Sequence, residues 1–237
     1  MQVEVIPSVN ETTADDFINK TVIVIDVLRA TSSIVTALEQ NSIGVIPVKT
    51  VGQAKDICEK NDLLGGERFC KKISGFHLGN SPIELIHTDV QGKRIILTTT
   101  NGTRAIDKAQ KAAHVLAGAM LNASACASAA LNLKRDIVIV CAGTMDRFSL
   151  EDGICAGLII DEMAAMEENL ELSDFAKAMR YAYSQVKDRL QETILESENG
   201  RRLRKLGFEE DVFFCARVNM YSKVPILRNH ILEPFEF

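Results

Sequence analysis

The chain has 237 residues, 46% of them hydrophobic and 25% charged, with 32 acidic side chains against 27 basic ones. This is ample apolar material for a buried core, and the acidic balance, without a basic stretch interleaved with aromatics, argues against a nucleic-acid partner. No stretch reaches the about 18 apolar residues that span a bilayer, and Met1 to Asn10 has no basic start followed by an apolar run, so the reading is a cytoplasmic protein without a membrane anchor.

Taken in chain order, Val22 to Val27 is an apolar, β-branched run of the kind buried on both faces of a sheet, and Ala30 to Glu39 follows with helical spacing. Ile43–Val48 and Ala54–Lys60 repeat the alternation. Leu63 to Pro82 then reads as one long irregular stretch around Gly65-Gly66-Glu67-Arg68 and Gly79-Asn80-Ser81-Pro82, and loops of that length tend to be functional. A second unit has a strand at Arg94–Thr99, a turn through Thr100-Asn101-Gly102-Thr103 and a helix from Arg104 to about Lys111, with His114–Ala119 and Ala123–Leu133 adding another strand and helix. A third unit runs from a strand at Asp136–Val140 through Cys141-Ala142-Gly143-Thr144 to a helix opening near Leu150-Glu151-Asp152. Phe175 to Glu196 reads as one long amphipathic helix, and Asn199–Leu206 carries the basic cluster Arg201, Arg202, Arg204 and Lys205, which reads as a solvated helix face. The alternation predicts a three-layer α/β/α fold on a largely parallel or mixed sheet. Residues 1–237 form one α/β unit, or two similar, intimately packed halves meeting near 120–135.

Each unit places hydroxyls, amides or glycines where a buried strand gives way to a helix: Arg29 with Thr31 and Ser32, then Thr100, Asn101, Gly102 and Thr103, then Gly143 and Thr144. Free amides at helix starts favour an anion. Three such turns meeting at the carboxyl ends of neighbouring strands would form the ligand crevice of an open α/β sheet. Asp26 directly follows an apolar strand, where an unpaired charge is costly, so it needs a cation. Arg29 and Mg²⁺ both qualify, because magnesium takes few carboxylates and completes its octahedron with water and phosphate oxygens. Glu67, Glu151 and Asp152 are the other acids placed to join it; for the last two, favourable charge at a helix start explains the position equally well.

The strand-end Asp-x-Asp pair of the haloacid dehalogenase phosphatases is absent, since Leu28 stands two residues after Asp26. Cys141 with Arg147 six residues on matches the spacing of cysteine phosphatases, but Met145 and Asp146 are ill-suited to a loop that wraps an anion. The six cysteines include no Cys-x-x-Cys pair, and the four histidines have no metal-binding spacing, so a zinc site has no support.

As an ordered set, Val24-Ile25-Asp26-Val27-Leu28-Arg29-Ala30-Thr31-Ser32, Gly65-Gly66-Glu67-Arg68, Gly75-Phe76-His77-Leu78-Gly79-Asn80-Ser81-Pro82, Thr98 to Ala105, and Cys141 to Thr144 followed by Leu150-Glu151-Asp152 resemble the 2-phosphosulfolactate phosphatase family. The resemblance implies a Mg²⁺-dependent phosphohydrolase that converts 2-phospho-3-sulfolactate to 3-sulfolactate and phosphate, a step toward coenzyme M in methanogens. On that reading the catalytic residues are Asp26, Arg29, Glu67 and Arg68, and the metal ligands come from Asp26, Glu67, Glu151 and Asp152. Substrate contacts come from Thr31, Ser32, Asn80, Ser81, Thr100, Asn101, Gly102, Thr103, Cys141, Gly143 and Thr144. Arg29, Arg68, Arg104 and Arg147 are available to hold the acid groups of such a substrate. A cysteine phosphatase using Cys141 and Arg147, and a non-catalytic small-anion-binding protein, are the competing readings. A homo-oligomer is left open.

Overall fold

The computed structural model describes residues 1–236. Its opening segment alternates, so Val3 and Val5 turn inward and form β1 (Gln2–Ile6). The unbroken apolar run gives β2 (Thr21–Ile25), buried along its whole length, and leads into α1 (Ala30–Glu39). Then come β3 (Gly44–Pro47), α2 (Val51–Asp56), β4 (Leu63–Arg68), β5 (Lys71–Lys72), α3 (Pro82–Ile86), β6 (Arg94–Thr98) and α4 (Gly102–Lys108). These are followed by β7 (His114–Gly118), α5 (Ala123–Asn132), β8 (Ile137–Cys141), α6 (Leu150–Met166), β9 (Glu171–Leu172) and α7 (Asp174–Val186). The chain ends with α8 (Leu190–Leu195), α9 (Glu198–Lys205), α10 (Glu209–Cys215) and the hairpin β10 (Pro225–Arg228) and β11 (Ile231–Pro234).

The strands form one 11-stranded sheet in the order β5-β4-β6-β3-β11-β10-β7-β2-β8-β1-β9. Two parallel blocks, β4-β6-β3 and β7-β2-β8-β1-β9, are joined by the C-terminal hairpin, which pairs antiparallel with β7 through Ile226 opposite Leu116 and with β3 through Leu232 opposite Val45. Followed through that hairpin, the strands of one block run opposite to those of the other. The turns after β2 and β8 are therefore neighbours as expected, but four strands lie between β6 and β2 in the sheet.

What brings them together is the way the blocks share helices. Ile23, Ile25 and Ile139 face α5 and α6, whereas Val22, Val24, Val138 and Val140 pack on the other face with Ile34 of α1 and Ile106 of α4. Ile95 and Leu97 of β6 join that second cluster from the other block. The twisted sheet thus curls around α1 and α4, and helices cover both of its faces. Among the described residues no helix is long and apolar enough to cross a membrane.

Two expected segments differ. The stretch from Leu63 contains a strand: Leu64 and Gly65 pair in register with Ile96 and Leu97 of β6. Gly66, at φ +155°, approaches so closely that a Cβ there would stand 2.3 Å from the Thr98 carbonyl oxygen. The glycines that read as loop are the condition for that approach. The single helix expected over Phe175–Glu196 breaks at a 3₁₀ turn, Lys187–Arg189, beyond which α8 buries Leu190 and Ile194.

Candidate active site

Strand β2 delivers Asp26 to a crevice that Arg29, Glu67, Asn80, Thr100 and Asn101 also line. Its side chain turns back on the start of α1, where Oδ1 accepts the amide of Ala30 at 3.1 Å. The Thr31 hydroxyl accepts the Asp26 amide at 3.0 Å and donates to the Asp26 carbonyl at 2.9 Å. Asp26 is only 8% exposed. Burial pushes its carboxyl up to about 7, and the Glu67 and Glu151 carboxylates add to the shift against the opposing amides of Ala30 and Gly102.

Among the described residues no cation pairs with Asp26. Arg29, the partner the sequence suggests, is bound to Asp211 at 2.5 Å instead, with side chains 3% and 2% exposed. It also donates to the Cys70 carbonyl at 3.2 Å and stacks over Phe208. The Ser81 hydroxyl completes this pair by donating to Asp211 at 2.7 Å.

Glu67 reaches the crevice from β4. Its Oε1 accepts both the amide and the hydroxyl of Thr100 at 2.9 Å, and Oε2 accepts the Cys70 amide at 2.7 Å. Asp152, at the start of α6, accepts the amides of Val27 at 2.9 Å and Gly143 at 3.1 Å. The three turns that seemed open to a ligand are thus each held by an acid of the protein itself: Asp26 on α1, Glu67 on Thr100 and Asp152 on Gly143. Helix-start amides do not by themselves make the anion site here, because carboxylates already occupy them.

The structure brings Asp26, Arg29, Glu67, Asn80, Thr100, Asn101 and Thr144 to one crevice. Other expected residues support it from outside. Ser32 donates to the Val27 carbonyl, Thr103 is bonded to Thr99, and Gly102 lies against Asp26. Arg68 donates to the Glu67 carbonyl at 2.7 Å and the Thr98 hydroxyl at 2.9 Å, so it braces the end of β4 rather than facing a ligand. Glu151 accepts the Asn199 amide at 2.9 Å and lies, like Asp152, behind the crevice wall; burial foremost raises both carboxyls. Arg104 pairs with Asp146 at the surface, and Arg147 is exposed.

Cys141 is wholly buried at the end of β8 among the core side chains facing α6. Burial, with Asp152 beside it, pushes its thiol well above the ordinary cysteine range. A nucleophilic cysteine needs the reverse. Neither the substrate contact nor the cysteine-phosphatase reading survives this placement.

Residues that the sequence reading did not assign complete the wall. Asn199 of α9 donates to the Thr144 hydroxyl at 2.5 Å as well as to Glu151. Arg202, one turn further on, lines the crevice too, out of a cluster that otherwise faces solvent. Nothing local in the sequence separates Arg202 from Arg201 or Arg204; only the docking of α9 does. Phe69 and Met145, both at positive φ, stand exposed at the crevice mouth.

Acids, hydroxyls and arginines gathered where strands end in an α/β sheet define an enzyme for a small anionic molecule. The family model for 2-phosphosulpholactate phosphatase matches residues 7–230. A probable 2-phosphosulfolactate phosphatase of Thermotoga maritima is 43% identical over 218 residues, 92% of this chain and 93% of that protein. Proteins of the same name from Clostridium tetani and Caldanaerobacter subterraneus are 39% and 42% identical, covering 98% and 92% of this chain and 100% and 92% of their own lengths. The chain belongs to the 2-phosphosulfolactate phosphatase family, whose members are phosphoric monoester hydrolases. That membership sets aside the non-catalytic anion-binding reading.

Proposed function

We propose that the chain hydrolyses 2-phospho-3-sulfolactate, or a closely similar 2-phospho acid, with Mg²⁺ held by Asp26 and Glu67. The observation that carries the metal is Asp26, a buried, crevice-facing acid with no cationic partner among the described residues. No group of three or more His, Cys, Asp or Glu side chains among them is placed as a ready cage. Two crevice-lining carboxylates and a space that admits water and phosphate still fit magnesium, which is commonly held by one or two carboxylates with the rest of its octahedron filled from solvent and substrate. When bound, the ion would neutralise phosphate oxygens and lower the pKa of a water.

The names of the relatives support this substrate. In the reaction the oxygen of water bonds to phosphorus and the ester P–O bond breaks. The freed 2-hydroxy acid takes up a proton, and inorganic phosphate leaves. The chain's own part is to hold the ester in place, and Asn80 and Asn101 offer neutral polar groups to the crevice for it.

Phosphate release should be measured on the full chain with 2-phospho-3-sulfolactate, first with EDTA and then with added Mg²⁺. Release that EDTA stops and Mg²⁺ restores is expected. No release with any divalent cation would overturn the substrate assignment, and full activity in EDTA would overturn the metal.

A further inference from the structure

Charge in the crevice is unevenly distributed. Asp26 and Glu67 make one side acidic, with Glu151 behind it. Two arginines line the wall. Arg29 is neutralised by Asp211 and almost completely buried, so it has little charge to give a ligand. Arg202 is half-buried, and its guanidinium has no ion-pair or hydrogen-bond partner among the described residues. Its neighbours differ in both respects: Arg201 is exposed and donates to the Glu196 carbonyl, and Arg204 is exposed and pairs with Glu209 at 3.0 Å.

Helix α9 is also held firmly enough to aim a side chain. Ser197 caps it by accepting the Gly200 amide at 3.0 Å, and a Cβ on Gly200 would stand 2.1 Å from the Ile194 carbonyl oxygen, so α8 and α9 meet there in close contact. Asn199 ties the first turn to Thr144 and Glu151. An unpaired guanidinium on a fixed helix, facing a crevice with two acids, is suited to an oxyanion that arrives with the ligand.

We propose that Arg202 binds the acid group of the substrate that is not transferred, the carboxylate or sulfonate, and so selects a 2-phospho acid over a simple phosphate ester. The assignment rests on the phosphatase reading above, and it deepens that reading by naming what sets the substrate class. Asp26 and Glu67 stand at the reacting phosphate, and Arg202 anchors the far end of the molecule. A charge-assisted hydrogen bond of this kind is worth roughly ten- to hundredfold in binding.

The test compares three esters that lose their acid groups stepwise: 2-phospho-3-sulfolactate, 2-phospholactate and isopropyl phosphate. Arg202→Ala should raise KM for the first roughly ten- to hundredfold with kcat little changed, and the penalty should shrink as acid groups are removed. Arg202→Lys should recover part of the loss. Arg204→Ala, whose side chain faces solvent, should match the parent on all three. An equal loss on every ester, or none on any, overturns the assignment. Binding of 3-sulfolactate by calorimetry decides the matter independently of turnover: Arg202→Ala should weaken it at least tenfold and leave inorganic phosphate unaffected. If the parent protein hydrolyses none of the esters, the phosphatase reading fails while this binding comparison still tests Arg202. Equal 3-sulfolactate affinity in parent and variant overturns the proposal.

Discussion

Arg29 and Asp211, 182 residues apart in sequence, form an ion pair at 2.5 Å that is nearly closed to solvent, with the Ser81 hydroxyl on its acid and the Phe208 ring against its guanidinium. It joins the turn after β2 to α10, and so ties the C-terminal helices to the wall of the crevice. Removing one member of a buried pair leaves the other charged and desolvated, at a cost of about 3–5 kcal/mol, whereas replacing both with apolar residues of similar size costs much less. Asp211→Ala should therefore lower the urea midpoint strongly, and Arg29→Met with Asp211→Leu should recover most of that loss. A single variant as stable as the parent would mean that water reaches the pair.

Asp26→Asn separates chemistry from stability. Loss of the charge should reduce turnover about 10²- to 10⁴-fold, in the range of a lost electrostatic stabiliser at a reacting phosphate. Stability should move the other way. In metal-free protein the folded carboxyl titrates at about 7, against about 3.9 when unfolded. The folded state therefore holds a proton that the unfolded chain has released. Its contribution is full below about pH 4 and is lost as pH rises to 7, on the order of 4 kcal/mol in all. Asn has no such titration. Urea unfolding of both proteins in EDTA at pH 4 and pH 7 should show the variant gaining on the parent as pH rises, and a constant difference would refute the buried, cation-free state of Asp26.

Gly102 shows that site geometry can be damaged without removing a functional group. A Cβ there would stand 2.7 Å from the Asp26 carboxylate and 2.4 Å from the Ala30 Cβ. Neither neighbour can yield without moving the start of α1. Gly102→Ala should cost about 1–3 kcal/mol as overpacking and also reduce kcat. In α2, Gly52 has only the Thr50 hydroxyl, at 3.8 Å, within reach of an added Cβ, so Gly52→Ala should raise stability by roughly 0.5–1 kcal/mol and leave kcat alone. Differential scanning calorimetry with a turnover assay on the same samples checks both.

The strands and helices that carry their own pattern were legible in the sequence: α1 occupies the expected Ala30–Glu39, and β2, β6, β7 and β8 lie within a residue or two of their predicted bounds. Asp26, Glu67, Asn80 and Thr100 could be found because each sits at a strand end or in a conspicuous glycine-rich stretch. Two of the elements missed depend on a distant partner, whereas α3 (Pro82–Ile86) has a local start signal in its Ser81 cap and Pro82. Strand β4 needs β6 beside Gly65 and Gly66, and the β10–β11 hairpin is defined by what it joins, β7 to β3. The partner of Arg29 was invisible for the same reason. A strand-end acid three residues before an arginine suggests a local pair, and only the tertiary fold shows that the arginine is satisfied by Asp211 and the acid is left without a cation.

Cys141 provides the last test, because its spacing to Arg147 made a thiolate mechanism a serious reading and its position argues against one. The sulfur has no exposure and lies in the core between β8 and α6. Burial raises its pKa, and the acids of α6 raise it further, so the nucleophilic thiolate is suppressed. Cys141→Ser should cost about 1–3 kcal/mol by placing a hydroxyl in an apolar setting and should retain turnover within about threefold per folded molecule, since it removes nothing that faces the ester. Iodoacetamide should modify the partly exposed Cys58 and Cys70 in the native protein and leave Cys141 untouched until denaturant is added. If the folded serine variant were inactive while the parent kept full activity in EDTA, phosphoryl transfer would run through the sulfur, and the crevice around Asp26 would not be where the ester is cleaved.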